Sequence, residues 1–186
     1  MQKKYLKEKL EKVACSLYDK DLLGIHLGSI SFRSESAKFV INKREAFFNQ
    51  LDSDSMIELH FQTDYRYNQA SKDATIHQQI YHNFLDAKFV LFVSSAAIIT
   101  YTLKHDILYP KDFFAKSEFG ILEIYDIGDT KSWKQRKNGE IMNYFKEQDK
   151  KIMLIRGYGV YIYGRDIYEM VRKIEILERS CKVLGE

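Results

Sequence analysis

Phe89-Val-Leu-Phe-Val93 is apolar at all of its five positions, and the reading of this run decides the fold. A strand with one wet face alternates apolar and polar residues. A strand apolar throughout has both faces covered, as in a sheet packed between two layers of helices. The segments on either side read as those helices. Before it, Ile76, Ile80 and Phe84 recur at four-residue spacing within a helix expected from about Ala74 to Leu85; after it, Ala96–Leu103 reads as helix. Phe89–Val93 is therefore read as a central strand.

Further out, short strands are expected at Ser29–Arg33, Lys38–Asn42, Met56–Phe61, Leu122–Tyr125, Ile152–Ile155 and Val160–Tyr163. Ile57, Leu59 and Phe61 alternate with Glu58 and His60, the period of a half-buried strand. An N-terminal helix from about Lys3 to Tyr18 carries Leu6, Leu10, Val13, Ala14 and Leu17 on one face. A helix is expected over about Gly139–Gln148. The last helix follows Asp166 as N-cap, with Ile167, Met170, Val171, Ile174, Leu177 and Cys181 as its stripe. Gly157 and Gly159 mark a tight turn. Strands mixed with helices imply one α/β domain over residues 1–186, a three-layer α/β/α arrangement around a mixed sheet.

Composition narrows the class. With 186 residues the chain suits one domain with a full core, and 26 aromatic residues (13 Tyr, 12 Phe, 1 Trp) are too many for a disordered chain. No apolar segment approaches the roughly 20 residues a membrane helix needs. The N-terminal MQKKYLKEKLEKVACSLYDK intersperses charges, unlike a secretory signal. A cytoplasmic protein is the expectation, with Cys15 and Cys181 as free thiols. The 29 basic and 26 acidic residues are scattered, so no nucleic-acid partner is expected. Lys131-Ser-Trp-Lys134-Gln-Arg136-Lys137 reads as a solvated basic loop.

The strong catalytic signatures are missing: there is no GxxxxGK[ST], HExxH, CxxC or GxSxG. His26, His60, His77, His82 and His105 are dispersed. Only His77 and His82 share a helix, and their five-residue spacing turns them onto different faces. Read alone, Asp73 is the N-cap of the helix that begins at Ala74.

The order of the elements carries more. Gly28-Ser-Ile-Ser-Phe-Arg33 comes early, followed by Ser71-Lys-Asp73 with His77-Gln-Gln-Ile-Tyr81. Asp86 to Ser94 comes next, then Leu154-Ile-Arg-Gly-Tyr-Gly-Val160 before a long helix. Over most of the chain this resembles the class II aldolase/adducin family, with its G-N-[IV]-S-x-R turn, S-S-E and H-x-x-x-Y helix start, H-x-H strand end and N-H-G-V turn. The resemblance implies a largely antiparallel central sheet and a cyclic homotetramer with sites between subunits. In the family, the H-x-H and N-H-G histidines bind a divalent metal, usually zinc. The matching positions here are Phe92, Ser94 and Tyr158, so no metal or other cofactor is expected. The acid/base glutamate of the family falls on Asp73. The residues that cradle a sugar phosphate fall on Gly28, Ser29 and Ser71, with Lys72 and Arg44 as added cations. Arg44 and Lys72 could equally be surface charges, or pair with Glu45.

Three functions follow from this resemblance. The first is a class II aldolase-like protein without the zinc-binding histidines, which is not a zinc-dependent aldolase and keeps an anion pocket or an interaction role. The second is an active sugar-phosphate aldolase or epimerase with a rearranged metal site. The third is metal-free chemistry with Asp73 as base and Tyr158 as acid or oxyanion donor.

Overall fold

The computed structural model describes residues 2–148 and 150–185. Its helices are α1 (Gln2–Asp19), α2 (Ala74–Asn83), α3 (Ala96–Lys104), α4 (Phe113–Phe119), α5 (Thr130–Gln148) and α6 (Ile167–Gly185). Its strands are β1 (Ser29–Glu35), β2 (Lys38–Asn42), β3 (Met56–His60), β4 (Phe89–Val93), β5 (Ile107–Leu108), β6 (Leu122–Tyr125), β7 (Ile152–Ile155) and β8 (Gly159–Gly164). The eight strands form one sheet in the order β3-β2-β1-β4-β8-β7-β6-β5. Only β6 and β7 pair in parallel, so the sheet is mixed and largely antiparallel, as expected.

Both sheet faces are covered, and β4 shows why its sequence is apolar throughout. Phe89, Leu91 and Val93 join the core beneath α1, α3 and α6, while Val90 and Phe92 join the core beneath α2 and α5. Fully burying each such side chain contributes about 1.5–3 kcal/mol. The three-layer reading holds. On the α2 side β1 instead presents Ser29 and Ser31, both fully buried. These two hydroxyls interrupt an otherwise apolar layer and mark where chemistry is placed.

Arg33 fixes the far end of α2. Its guanidinium donates to the carbonyls of Tyr81, of Phe84 (3.0 Å) and of Ala87 (3.1 Å), in the last turn of the helix and just beyond it. Charged hydrogen bonds of this kind are worth about 1.5–3 kcal/mol each. The arginine of the early Gly28–Arg33 segment is thus a clamp that sets the position of α2 against β1.

One expectation needs correction. Residues 131–137 are not a loop. They form the first turns of α5, which starts at Thr130 rather than near Gly139. Asp129 caps it, accepting from Ser132 N at 2.9 Å, and Trp133 is buried beneath it. The segment after Pro110 contains α4, capped by Asp112 through Ala115 N at 2.9 Å, and β5 precedes it. Cys181 is a free thiol, as expected, and is buried. Burial, then the charge of Glu178, pushes its thiol up to about 12, so it presents no thiolate nucleophile.

Candidate functional site

The site is assembled where β2 ends and α2 begins. Asn42 ties three segments together. Its Oδ1 accepts from Ile30 N (2.9 Å), its side-chain amide donates to Lys43 O (3.1 Å), and its carbonyl accepts from Ser71 N (3.0 Å). Ser71 then closes the start of α2: its Oγ accepts from Asp73 N at 3.3 Å and its carbonyl from Ala74 N at 3.0 Å. Asp73 holds the N-cap position read from the sequence, and its carbonyl accepts from His77 N at 3.0 Å, but its side chain makes no capping bond. Its carboxylate turns inward instead. Oδ2 accepts from Ser29 Oγ at 3.1 Å, and Oδ1 pairs with Lys137 Nζ of α5 at 3.0 Å. The side chains of Asp73 and Lys137 are only 10% and 16% exposed.

Behind Asp73 runs a continuous polar chain. His77 is fully buried, with Nε2 2.8 Å from Ser29 Oγ and Nδ1 2.7 Å from Ser31 Oγ; Ser31 Oγ is 2.6 Å from Tyr81 Oη. Each hydroxyl has a single hydrogen. Since Ser29 donates to Asp73, it accepts from His77 Nε2–H. His77 Nδ1 is then bare and accepts from Ser31, which accepts from Tyr81. Every donor points toward Asp73. Burial is the main cause that lowers the His77 pKa to about 4, and Lys137 adds to it against the opposing charge of Asp73. His77 is thus a neutral imidazole with its proton on Nε2.

That shift has a sign. The folded value of about 4 lies below the ordinary 6.5, so the unfolded chain takes up a proton first as pH falls. The stability His77 contributes is complete above pH 6.5 and is lost between pH 6.5 and 4. We expect the melting temperature of the wild type to fall by several degrees across this window, and by less in a His77→Gln variant. Equal slopes for the two proteins would refute the assignment.

Aromatic rings close the other side. Phe92 stacks on Tyr161 (4.5 Å between centroids) and leans on Tyr158 (5.0 Å), which meets Trp133 edge-on at 6.0 Å. The Tyr158 hydroxyl is 3.5 Å from Lys137 Nζ, and Ser94 Oγ donates to Tyr158 O at 3.0 Å. Burial first, then Asp73, raises the Tyr158 pKa and holds that of Tyr161 well above the usual phenol range. Burial opposes the charge on Lys137, but Asp73 and Tyr158 outweigh it, and its pKa is raised. At neutral pH the site offers a carboxylate, an ammonium and two protonated phenols.

The sequence-expected residues divide. Gly28, Ser29, Ser71, Asp73 and Tyr158 come together. The hydroxyls of Ser29 and Ser71, however, are spent on Asp73 and on the start of α2. Gly28 is required by packing: with φ at 140°, a Cβ there would lie 2.2 Å from Leu23 Cδ2. Arg44 and Lys72 lie on adjoining exposed segments, and neither makes an ion pair among the described residues, with Glu45 or otherwise. Among the described residues no three His, Cys, Asp or Glu side chains converge on one point. Lys137, Tyr161 and Trp133 were missed. For Trp133 the available signal was spacing, since it recurs with Ile141 and Phe145 at multiples of four residues; Lys137 falls in the same stripe but does not read as a core position.

The profile of the Class II Aldolase and Adducin N-terminal domain matches residues 8–184. The chain belongs to that family. Among class II aldolase relatives, L-fuculose phosphate aldolase of Methanocaldococcus jannaschii is 19% identical over 180 residues, covering 95% of this chain and 94% of the relative. The crystal structure of L-fuculose-1-phosphate aldolase from Thermus thermophilus superposes with a TM-score of 0.80 at 16% identity, over 96% of this chain and 92% of the other. A sugar-phosphate aldolase from Thermotoga maritima gives a TM-score of 0.73 at 17% identity, over 99% and 95%. At such identities the two structures show that this class II aldolase family member shares their fold.

Proposed function

We propose that residues 1–186 form one class II aldolase-like domain that does not carry out zinc-dependent aldol cleavage. The observation that carries this reading is the Asp73–Lys137 ion pair, 3.0 Å long and largely buried. An ammonium beside the carboxylate, and 3.5 Å from the Tyr158 hydroxyl, places a fixed positive charge among the groups that a cation would need, and like charge disfavours its entry. The side chains at the three family ligand positions do not fit zinc either. Phe92 has no donor atom, Ser94 is bonded to a backbone carbonyl, and the raised pKa of Tyr158 keeps its phenol protonated. The same reading includes a homo-oligomer in the cytoplasm. The exposed Arg44 and Lys72 are the groups left to meet an anion such as a sugar phosphate.

The test is metal content by inductively coupled plasma mass spectrometry, after dialysis in metal-free buffer and again after zinc is offered. It is paired with an assay of L-fuculose 1-phosphate cleavage. We expect no stoichiometric metal and no zinc-stimulated cleavage. About one metal ion per chain together with zinc-dependent turnover would overturn the proposal.

A further inference from the structure

Beyond Lys137, α5 carries Glu140, Tyr144 and Glu147, whose spacings of four and three residues keep them on one side of the helix. Glu123 and Tyr125 of β6 share a sheet face, two residues apart, and Asp126 follows the strand. All of these line a cleft of about 380 Å³ between β6 and α5, a size that suits a small molecule. No lysine or arginine lines it. From outside, Arg136 pairs with Glu140 and Arg156 with Asp126 (3.1 Å), and Tyr125 Oη donates to Glu140 at 2.8 Å. Glu123 and Glu147 have no ion-pair partner among the described residues. Two negative charges thus stand unneutralised here, on a chain whose net charge is +3. Tyr144 adds an independent sign of a ligand. It is 7% exposed, and its ring meets that of Tyr125 edge-on at 6.0 Å. Its hydroxyl has no hydrogen-bond partner among the described residues, and the charge that acts on it is that of Glu123. A buried hydroxyl left so calls for a partner from outside the chain.

The carboxylates are spread round the cleft: among the described residues no three of them converge as a metal ion would need. Two separate free charges, a phenol oxygen able to accept and two aromatic rings suit an extended organic dication instead. Each ammonium of an aliphatic diamine can take one carboxylate. One N–H can go to the Tyr144 oxygen, and the methylenes next to the charge can lie on the Tyr125 and Tyr144 rings. We propose that the cleft between β6 and α5 binds an aliphatic diammonium ion through Glu123, Glu147 and Tyr144. This cleft is separate from the Asp73 site. The Tyr125 ring lies 6.2 Å from that of Trp133, and Trp133 in turn meets Tyr158 at 6.0 Å. Binding there does not depend on whether the Asp73 site takes zinc.

The experiment is isothermal titration calorimetry of the full chain with putrescine, cadaverine and spermidine, in about 0.15 M salt so that loose surface attraction is screened. Butylamine and magnesium are titrated for comparison. We expect saturable one-to-one binding of at least one of the three amines. Butylamine, which lacks the second charge, should bind about tenfold more weakly or worse. Glu123→Gln and Glu147→Gln should each weaken amine binding by about tenfold, and Tyr144→Phe by about threefold to tenfold. Glu123 and Glu147 are exposed, and Tyr144→Phe removes only an unpartnered hydroxyl, so all three variants should keep the wild-type melting temperature. No saturation at millimolar amine, equal affinity for butylamine, or unchanged affinity in any of the variants would overturn the inference. Displacement of the amine by magnesium at equal concentration would overturn it in favour of a metal ion. Each of these outcomes leaves the proposed function standing, since that is tested by metal content and sugar-phosphate cleavage.

Discussion

Gly159→Ala is expected to destabilise the protein by on the order of 4 kcal/mol or more, the range reached when backbone must move. Gly159 opens β8 with φ at 145°, a conformation close to glycine-only. A Cβ there would lie 2.3 Å from the carbonyl oxygen of Val93 and 2.8 Å from the Phe92 ring. Neither neighbour can give way: Val93 O belongs to the central strand, and Phe92 is held in its stack with Tyr161. For a chain of this size the loss corresponds to a drop of roughly 8–16 °C in melting temperature. Gly139→Ala is the control. It lies inside α5, where an added Cβ meets nothing within 4 Å, and should stabilise by about 0.5–1 kcal/mol. A Gly159→Ala protein that melts within a degree or two of wild type would show that β8 does not approach β4 so closely.

Lys137→Met should cost about 3 kcal/mol at neutral pH, because it leaves the Asp73 carboxylate buried without its counter-charge. Asp73→Asn strands the ammonium and should cost a similar amount. The double variant should lose only about 3–4 kcal/mol, well under the sum, since removing both charges together strands neither. The coupling from urea unfolding of all four proteins is expected at about 2–3 kcal/mol. Additive losses would mean that the two groups do not share an energetic contact, and would remove the basis of the functional proposal.

How far the sequence discloses this fold depends on where its polar residues go. β2, β4, β6 and β7 occupy the residues expected of them; β4 and β7 are apolar throughout because both of their faces are covered. α5 was legible only in its second half. A Trp within a basic run reads as a loop, yet Trp133 anchors a stripe that continues through Lys137, Ile141 and Phe145. Lys137 takes a core position in that stripe, and hydrophobic periodicity cannot flag a lysine whose partner is 64 residues away.

The candidate site was legible through family resemblance and not through spacing. The resemblance brought Asp73 and Tyr158 to notice. Local reasoning assigned Asp73 to a cap, because Asp before a helix usually serves as one. Asp73 does hold that position, but its carboxylate turns to Ser29 and Lys137 instead of the helix amides. His77 looked like one of five scattered histidines. Its partners Ser29 and Ser31 lie 48 and 46 residues away, and alternate serines on a strand also suit a solvent-facing edge. Only the pairing of β1 with both β2 and β4 places those hydroxyls under α2.

The polar chain from Tyr81 to Asp73 also bears on how the sheet finds its alignment during folding. β1 lies between β2 and β4, and apolar packing alone would tolerate a slide of two residues, which returns each side chain to the same face. With Ser29 and Ser31 beneath His77 and Tyr81, such a slide would bring Arg33 or Leu27 under the imidazole and leave two buried polar groups without partners. Each orphan costs about 1–3 kcal/mol. The serines thus act as a vernier: they make one alignment of the central strands several kcal/mol better than its nearest competitors, before any ligand is involved.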